Sequence, residues 1–139
     1  MISFPNISPE IFSFSILGFN FAIRWYAVSY ILGFLVALWI MKFILKRREL
    51  WKHDEPPMTV DNADNLLTYL ILGVIVGGRL GYVFFYNLDY YLLNPSDIVK
   101  VWDGGMAFHG GFIGVVLAAI IYTKKLDAPI WSVADLIAL

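Results

Sequence analysis

One short stretch of the sequence combines an ionisable ring with several glycines. Val101 to Gly111 read VWDGGMAFHGG, which places His109 between two glycine pairs at the start of an apolar segment. A neutral imidazole can accept a proton near neutral pH and often serves as a general base. Glycines remove side chains, so a substrate or another backbone can approach closely. The pattern indicates proton-transfer chemistry at His109, and a histidine that only caps or bridges helices fits the same residues equally well.

A second candidate is an arginine within an apolar run. Arg79 lies in VIVGGRLGYVFFY, and Tyr82 and Tyr86 follow it on the same helical face. An arginine at the centre of a membrane helix costs about 2.5–3.5 kcal/mol on insertion scales, and such residues usually face a protein interior or a wet cavity. The guanidinium offers phosphate a planar fork of donors. We therefore expect Arg79 to hold an anionic phospholipid headgroup or, as a structural alternative, to pair with a carboxylate.

The composition identifies the solvent. The chain of 139 residues is 60% hydrophobic and only 15% charged, whereas a soluble domain carries about 25% charge. A lipid bilayer is the expected environment. The net charge of −1 gives no basic excess to neutralise phosphates, which argues against nucleic acid as a partner. With no cysteine, and with His53 and His109 lacking partners at metal-ligand spacing, we do not expect a metal site.

The apolar runs predict an all-α, polytopic helical membrane protein in a single domain, residues 1–139. We expect about three complete transmembrane helices and the start of a fourth, over residues 24–45, 66–88, 106–122 and 130–139. Asp61 and Asp64 are candidate helix caps before the second span. Because the fourth span is only half long enough, the chain is expected to be the N-terminal part of a larger protein.

The N-terminal segment has no signal-peptide pattern, and Pro5 and Pro9 disfavour an early helix. Ile11 to Ile23 alternate apolar and polar residues around Leu17 and Gly18. This alternation fits a short hairpin, an amphipathic segment lying in the membrane interface, or an irregular lead-in.

Cationic residues predict the orientation. The loop after the first span and the loop after the third carry most of them: Lys46, Arg47, Arg48 and Lys52, and Lys124 and Lys125. The loop between the second and third spans holds only Lys100. The positive-inside rule then places the N-terminus and this second loop outside. Arg79 and His109 are thereby expected on the outer side.

Small residues recur every four positions on two of the spans: Gly73, Gly77 and Gly81 on the second, and Gly110, Gly114 and Ala118 on the third. Such ridges let two helices approach closely. We expect this contact to bring Arg79 and His109 within reach of one small cavity, although packing alone also explains the glycines.

Three ordered motifs resemble a known family. GGRLGYVFFYNL, VWDGGMAFHGGFIGV and IRWYAVSYILGF are similar to the prolipoprotein diacylglyceryl transferases of bacterial inner membranes, and the similarity covers nearly the whole chain. The resemblance implies transfer of the diacylglyceryl group of phosphatidylglycerol to the lipobox cysteine of a lipoprotein precursor. A thioether would form and glycerol phosphate would leave, with no cofactor. The implied location is the inner membrane, with the active site toward the outer leaflet.

The resemblance also implies residue roles. His109 would be the catalytic residue. The implied substrate-binding set consists of Tyr26, Arg79, Asn87, Gly104, Gly105, Gly110, Gly111 and Asp135. At Ala107 the family often has serine, so a hydroxyl there is not expected to be essential. The family's signature, glycine-arginine-x-glycine-asparagine-phenylalanine, is expected soon after Asp135. It contains an arginine that the resemblance implies in phospholipid handling, so these 139 residues alone are expected to be inactive.

Two other classes of protein fit the residues without the resemblance. An intramembrane arginine and glycine-interrupted spans also suit a transporter or channel subunit. A scaffold that only packs through its glycine ridges is the third possibility, and it predicts that changes at Arg79 and His109 are silent.

Overall fold

The fold was obtained as a computed structural model, which describes residues 8, 10–16 and 19–138. Helices dominate these residues, which confirms the predicted fold class. The elements are β1 (Glu10–Ile16), β2 (Phe19–Arg24), α1 (Trp25–Lys46), α2 (Val60–Tyr86), α3 (Leu88–Leu93), α4 (Phe108–Leu126) and α5 (Ile130–Ile137). Short 3-10 turns occupy Arg48–Leu50, Lys52–Asp54, Pro95–Val99 and Val101–Asp103.

Within the described part of the chain, three helices are long and apolar enough to cross a membrane. They are α1, α2 and α4. Large apolar side chains such as Phe85, Phe112 and Trp39 are exposed on them, as expected where lipid rather than water is the neighbour. The chain is therefore a multi-pass membrane protein, and the bounds of each crossing stay a prediction.

The first compact unit, residues 1–39, contains β1, β2 and most of α1. The two strands pair antiparallel, with Phe12 opposite Ile23 and Ile16 opposite Phe19. Of the three interpretations of Ile11–Ile23, the hairpin is confirmed, and its location in the membrane interface stays a prediction. The helix breakers Pro5 and Pro9 and the predicted turn at Leu17 and Gly18 lie outside the described residues.

The second unit, residues 40–139, is built on the contact between α2 and α4. The predicted glycine ridges meet along this contact. A Cβ built on Gly77 would lie 2.8 Å from the Cα of Gly114, and one built on Gly81 would lie 2.7 Å from the Cα of Gly110. Backbone therefore touches backbone, and any side chain here would force the helices apart.

The start of α2 differs from the prediction. The helix begins at Val60, with Thr59 in the N-cap position, so Asp61 and Asp64 lie inside the helix and are not its caps. Asp61 occupies the first turn, where a carboxylate complements the helix dipole. Asp64 instead forms an ion pair with Lys42 Nζ at 2.7 Å. The periodicity that begins at Leu66 misplaced this start, because the first six helical residues are mostly polar.

The last described element is short. Helix α5 follows Pro129 and ends at Ile137, and it buries Val133 and Leu136 while Trp131 stays exposed. Leu139, the end of the predicted fourth span, lies outside the described residues.

Candidate functional site

The residues between the second and third long helices form a folded segment, which we call the α2–α4 loop (residues 87–107). It contains α3 and two 3-10 turns and returns the chain to the start of α4. Its last residue, Ala107, donates its backbone N–H to the carbonyl oxygen of Gly78 at 2.8 Å. The loop is thus fastened to the side of α2 just before the helix that carries His109.

Arg79 holds the same loop through its guanidinium. Nε donates to the carbonyl of Ile98 at 2.9 Å and Nη2 to the carbonyl of Asp97 at 2.7 Å. Nη1 donates to the carbonyls of both Gly104 and Gly105, the latter at 3.2 Å. Four of the five N–H groups of the guanidinium are therefore used. Arg79 is only 4% exposed, and the ring of Tyr91 lies 5.2 Å from its Cζ.

The glycines before α4 make these contacts possible. Gly104 and Gly105 have φ angles of +83° and +79°, a region that other residues rarely adopt. A Cβ on Gly105 would lie 2.6 Å from the ring of Tyr82 and 2.9 Å from Arg79 Nη1. The carbonyls of this pair can point at the guanidinium because neither residue carries a side chain.

A polar cluster stabilises the loop on its exposed side. The Tyr90 hydroxyl donates to Asp97 Oδ2 at 2.6 Å, and Lys100 Nζ lies 2.7 Å from Asp97 Oδ1. Hydrogen bonds from Lys100 and from Tyr90 hold the pKa of Asp97 below its ordinary value. The hydrogen bond between Lys100 and Asp97, together with the negative charge of Asp97, raises the pKa of Lys100. Asp97 thus contributes its carbonyl to Arg79 and its carboxylate to Lys100.

His109 lies in the first turn of α4 and is exposed. Its ring contacts that of Phe108 edge to face at 5.7 Å. No hydrogen bond to His109 occurs among the described residues. The imidazole is therefore open to an incoming group, and the alternative in which it bridges two helices has no supporting contact in the described part of the chain.

The other predicted site residues divide between exposed positions and packing positions. Tyr26 is 60% exposed in the first turn of α1, in the first compact unit. Asn87, between α2 and α3, and Asp135, in α5, are also exposed. Gly110 lies against α2 in the helix contact, and Gly111 is buried beside Val74. Their substrate-binding roles stay a prediction.

An apolar cavity of about 460 Å³ runs along α2 and α4. Leu80, Phe84, Ile113 and Leu117 are among its lining residues, whereas Arg79 and His109 line no part of it. The single cavity that we expect these two residues to share therefore stays a prediction. What connects them in the structure is the α2–α4 loop.

Sequence reasoning missed the partners of Arg79. The backbone carbonyls of Asp97 and Ile98 leave no signal in residue types, and no motif pairs Tyr91 with the guanidinium. The positive-φ glycine pair was the one available signal of an unusual backbone at this position. Among the described residues, no group of three or more histidines, aspartates or glutamates is placed to hold a metal ion.

Comparison with known proteins places this geometry in a family. The family model described as prolipoprotein diacylglyceryl transferase matches residues 12–139. The phosphatidylglycerol–prolipoprotein diacylglyceryl transferase of Roseobacter denitrificans is 53% identical over 99% of this chain and 47% of its own length. Proteins of the same name from Ruegeria pomeroyi and Cereibacter sphaeroides are each 50% identical over 99% of the chain, and over 46% and 67% of their own lengths.

The chain thus spans about half the length of the first two curated relatives that it matches. The matched region includes the glycine ridges, Arg79, the α2–α4 loop and the first turn of α4. With a family model covering almost all of its residues, this chain belongs to the prolipoprotein diacylglyceryl transferase family.

Proposed function

We propose that this chain forms part of an enzyme that transfers the diacylglyceryl group of phosphatidylglycerol to the lipobox cysteine of a bacterial lipoprotein precursor. The observation that carries the proposal is the identity of 50–53% to proteins named for this activity, over nearly the whole chain. The exposed imidazole of His109, beside a loop held in a defined conformation, supports it.

The proposed reaction exchanges one bond for another. His109, or a base that it orients, takes the proton of the cysteine thiol. The thiolate sulfur bonds to the glyceryl carbon that carries the phosphate ester, and the bond between that carbon and the phosphate oxygen breaks. Glycerol phosphate leaves with the electron pair, and the cysteine retains a thioether. Holding lipid and thiol together in a water-poor site would supply much of the acceleration.

The membrane arrangement is part of the same proposal. The enzyme would lie in the inner membrane with the N-terminus and the α2–α4 loop outside, so that lipid and the precursor's signal peptide meet at the outer leaflet. Tyr26, Asn87 and Asp135 would contact the substrates, and the glycines around His109 would allow close approach. Arg79 makes no ion pair among the described residues, so its positive charge would favour the lipid phosphate through the local potential.

Purified full-length protein carrying this chain tests the activity. In liposomes containing phosphatidylglycerol and a lipobox peptide, we expect release of glycerol phosphate and a matching mass increase of the peptide. A peptide with serine in place of cysteine is the control and should give neither. Ion or solute flux without glycerol phosphate release would contradict the proposal and favour a transporter.

The role of His109 needs its own variant. Because a general base typically contributes a factor of about 10²–10⁴, His109→Gln should lower turnover at least about a hundredfold. The matched control is His53→Gln, at an exposed position in the loop between α1 and α2, which should keep normal turnover. A His109→Gln enzyme as fast as the unaltered protein would remove this residue from the chemistry.

A further inference from the structure

The buried guanidinium of Arg79 is fully surrounded by protein. Its donors meet the carbonyls of Asp97, Ile98, Gly104 and Gly105, and Tyr91 lies beside it. One N–H group remains for any other acceptor. A bidentate grip on a lipid phosphate needs two parallel N–H donors, so such a grip would require Arg79 to release at least one of these carbonyls.

These carbonyls need hydrogen-bond donors, and Arg79 supplies them. They belong to irregular backbone packed against α2, a helix long and apolar enough to cross a membrane. Within a membrane, irregular backbone is tolerated only where protein or a wet cavity satisfies its polar groups. One planar cation satisfies both ends of the segment, 97–98 and 104–105, which closes the chain between them into a fixed loop.

The fixed loop leads directly into the first turn of α4. Gly105 is four residues before His109, and Ala107 between them is bonded to the carbonyl of Gly78. The two attachments to α2, through Arg79 and through Gly78, therefore set where α4 begins. A shift of the 104–105 carbonyls would move the start of α4 and the imidazole with it.

We propose that Arg79 is a positioning residue: its guanidinium holds the α2–α4 loop and thereby places His109, and it does not bind the lipid phosphate directly. This proposal rests on the proposed function for its kinetic consequence, whereas its structural consequence can be measured without any activity.

Arg79→Lys separates charge from geometry. Lysine keeps the positive charge and binds phosphate as a point charge, but a single ammonium cannot span the carbonyls at both ends of the loop. We expect Arg79→Lys and Arg79→Met to lower kcat alike, at least about tenfold, since a misplacement on the order of 1 Å can cost about a hundredfold. The KM of Arg79→Lys for phosphatidylglycerol should stay within about twofold, because this variant keeps the positive charge that favours the lipid phosphate. Arg48→Lys, at an exposed arginine, is the matched control and should have no effect.

The loop can be observed directly. The 139 residues contain no cysteine, and Trp102 is 74% exposed in the middle of the held segment. A spin label on Trp102→Cys, in full-length protein freed of other reactive cysteines, should be immobile with Arg79 and mobile with Arg79→Lys. Tyr91→Leu is a milder variant for the case in which the arginine variants do not fold, and it should mobilise the label partially and lower kcat about threefold.

The outcomes separate the two proposals. An inactive unaltered protein with an Arg79-dependent label would overturn the transferase and leave the loop assignment standing. An active protein in which Arg79→Lys keeps kcat and Arg79→Met mainly raises the lipid KM would overturn the positioning role. A label as immobile in the Arg79 variants as in the unaltered protein would overturn the positioning role as well. If the Arg79 variants do not fold, the same result in Tyr91→Leu would overturn it.

Discussion

Two regions on the same helix α2 are held against their neighbours in opposite ways. Along the contact with α4, glycines bring backbone against backbone, with Gly73, Gly77 and Gly81 facing the glycines of α4. Next to that contact, Arg79 extends a charged side chain to bind the backbone of the α2–α4 loop. The first region removes side chains altogether, and the second depends on one of the largest.

The difference shows how a membrane protein builds tertiary structure without a hydrophobic driving force between its helices. Regular helices have already satisfied their backbone groups, so close packing is enough to hold them together. An irregular loop has carbonyls left over, and within a membrane these carbonyls need donors from the protein or from a wet cavity. One glycine ridge and one arginine meet these two needs within a few residues of each other.

The helix contact should give the largest effect on stability. Gly77→Val places atoms where the Cα of Gly114 lies 2.8 Å from the new Cβ, and backbone cannot move aside as a flexible side chain can. Overpacking typically lowers the free energy of unfolding by about 1–3 kcal/mol, and we expect a loss at or above the upper end of that range. It would be measured as a lower midpoint of thermal unfolding in detergent.

Gly33 provides the control for this change. It lies in α1 with nothing within 4 Å of its built Cβ, so Gly33→Val should be tolerated. Equal destabilisation at both positions would mean that the helix contact is looser than described.

The glycine pair of the loop should give an intermediate effect and separates backbone strain from crowding. Gly104 has φ +83° with open space around its Cβ, so Gly104→Ala should cost about 1–3 kcal/mol from backbone strain alone. Gly105→Ala adds a Cβ at 2.6 Å from the Tyr82 ring and should cost more. The midpoints of thermal unfolding of the two variants can be compared directly. A lower midpoint for Gly104→Ala than for Gly105→Ala would contradict the described contact between Gly105 and Tyr82.

The Asp97 cluster should give the smallest effect, visible as a pH dependence of the loop. The pKa of Asp97 in the folded protein is held below its ordinary value of 3.8. The ionised carboxylate therefore stabilises the loop fully above pH 3.8, and this stabilisation is lost as the pH falls through the lower folded pKa. A spin label at position 102 should therefore become more mobile below about pH 3.8. Asp97→Asn removes the titrating group, and an unchanged response in that variant would assign the transition to another carboxylate.

The two regions also differ in what the sequence reveals. The glycine ridges recur every four residues, so the close contact of α2 and α4 was predictable from spacing alone. The partners of Arg79 were not, because they are backbone carbonyls, two of which point at the guanidinium from glycines with positive φ angles, Gly104 and Gly105. The polar start of α2 was missed for a related reason: the ion pair of Asp64 with Lys42 is a tertiary contact, and periodicity carries no information about it.

The most direct test of the account is a distance measurement at Arg79 with lipid present. Solid-state NMR can be applied to full-length protein labelled at arginine and glycine in phosphatidylglycerol bilayers. It can measure two sets of distances from the guanidinium: to the carbonyl carbons of Gly104 and Gly105, and to lipid phosphorus. The account predicts that both glycine carbonyls stay beside the guanidinium and that no phosphorus lies within hydrogen-bonding range. A lipid phosphorus close to the guanidinium, with both glycine carbonyls moved away from it, would show that Arg79 binds the headgroup and does not hold the loop.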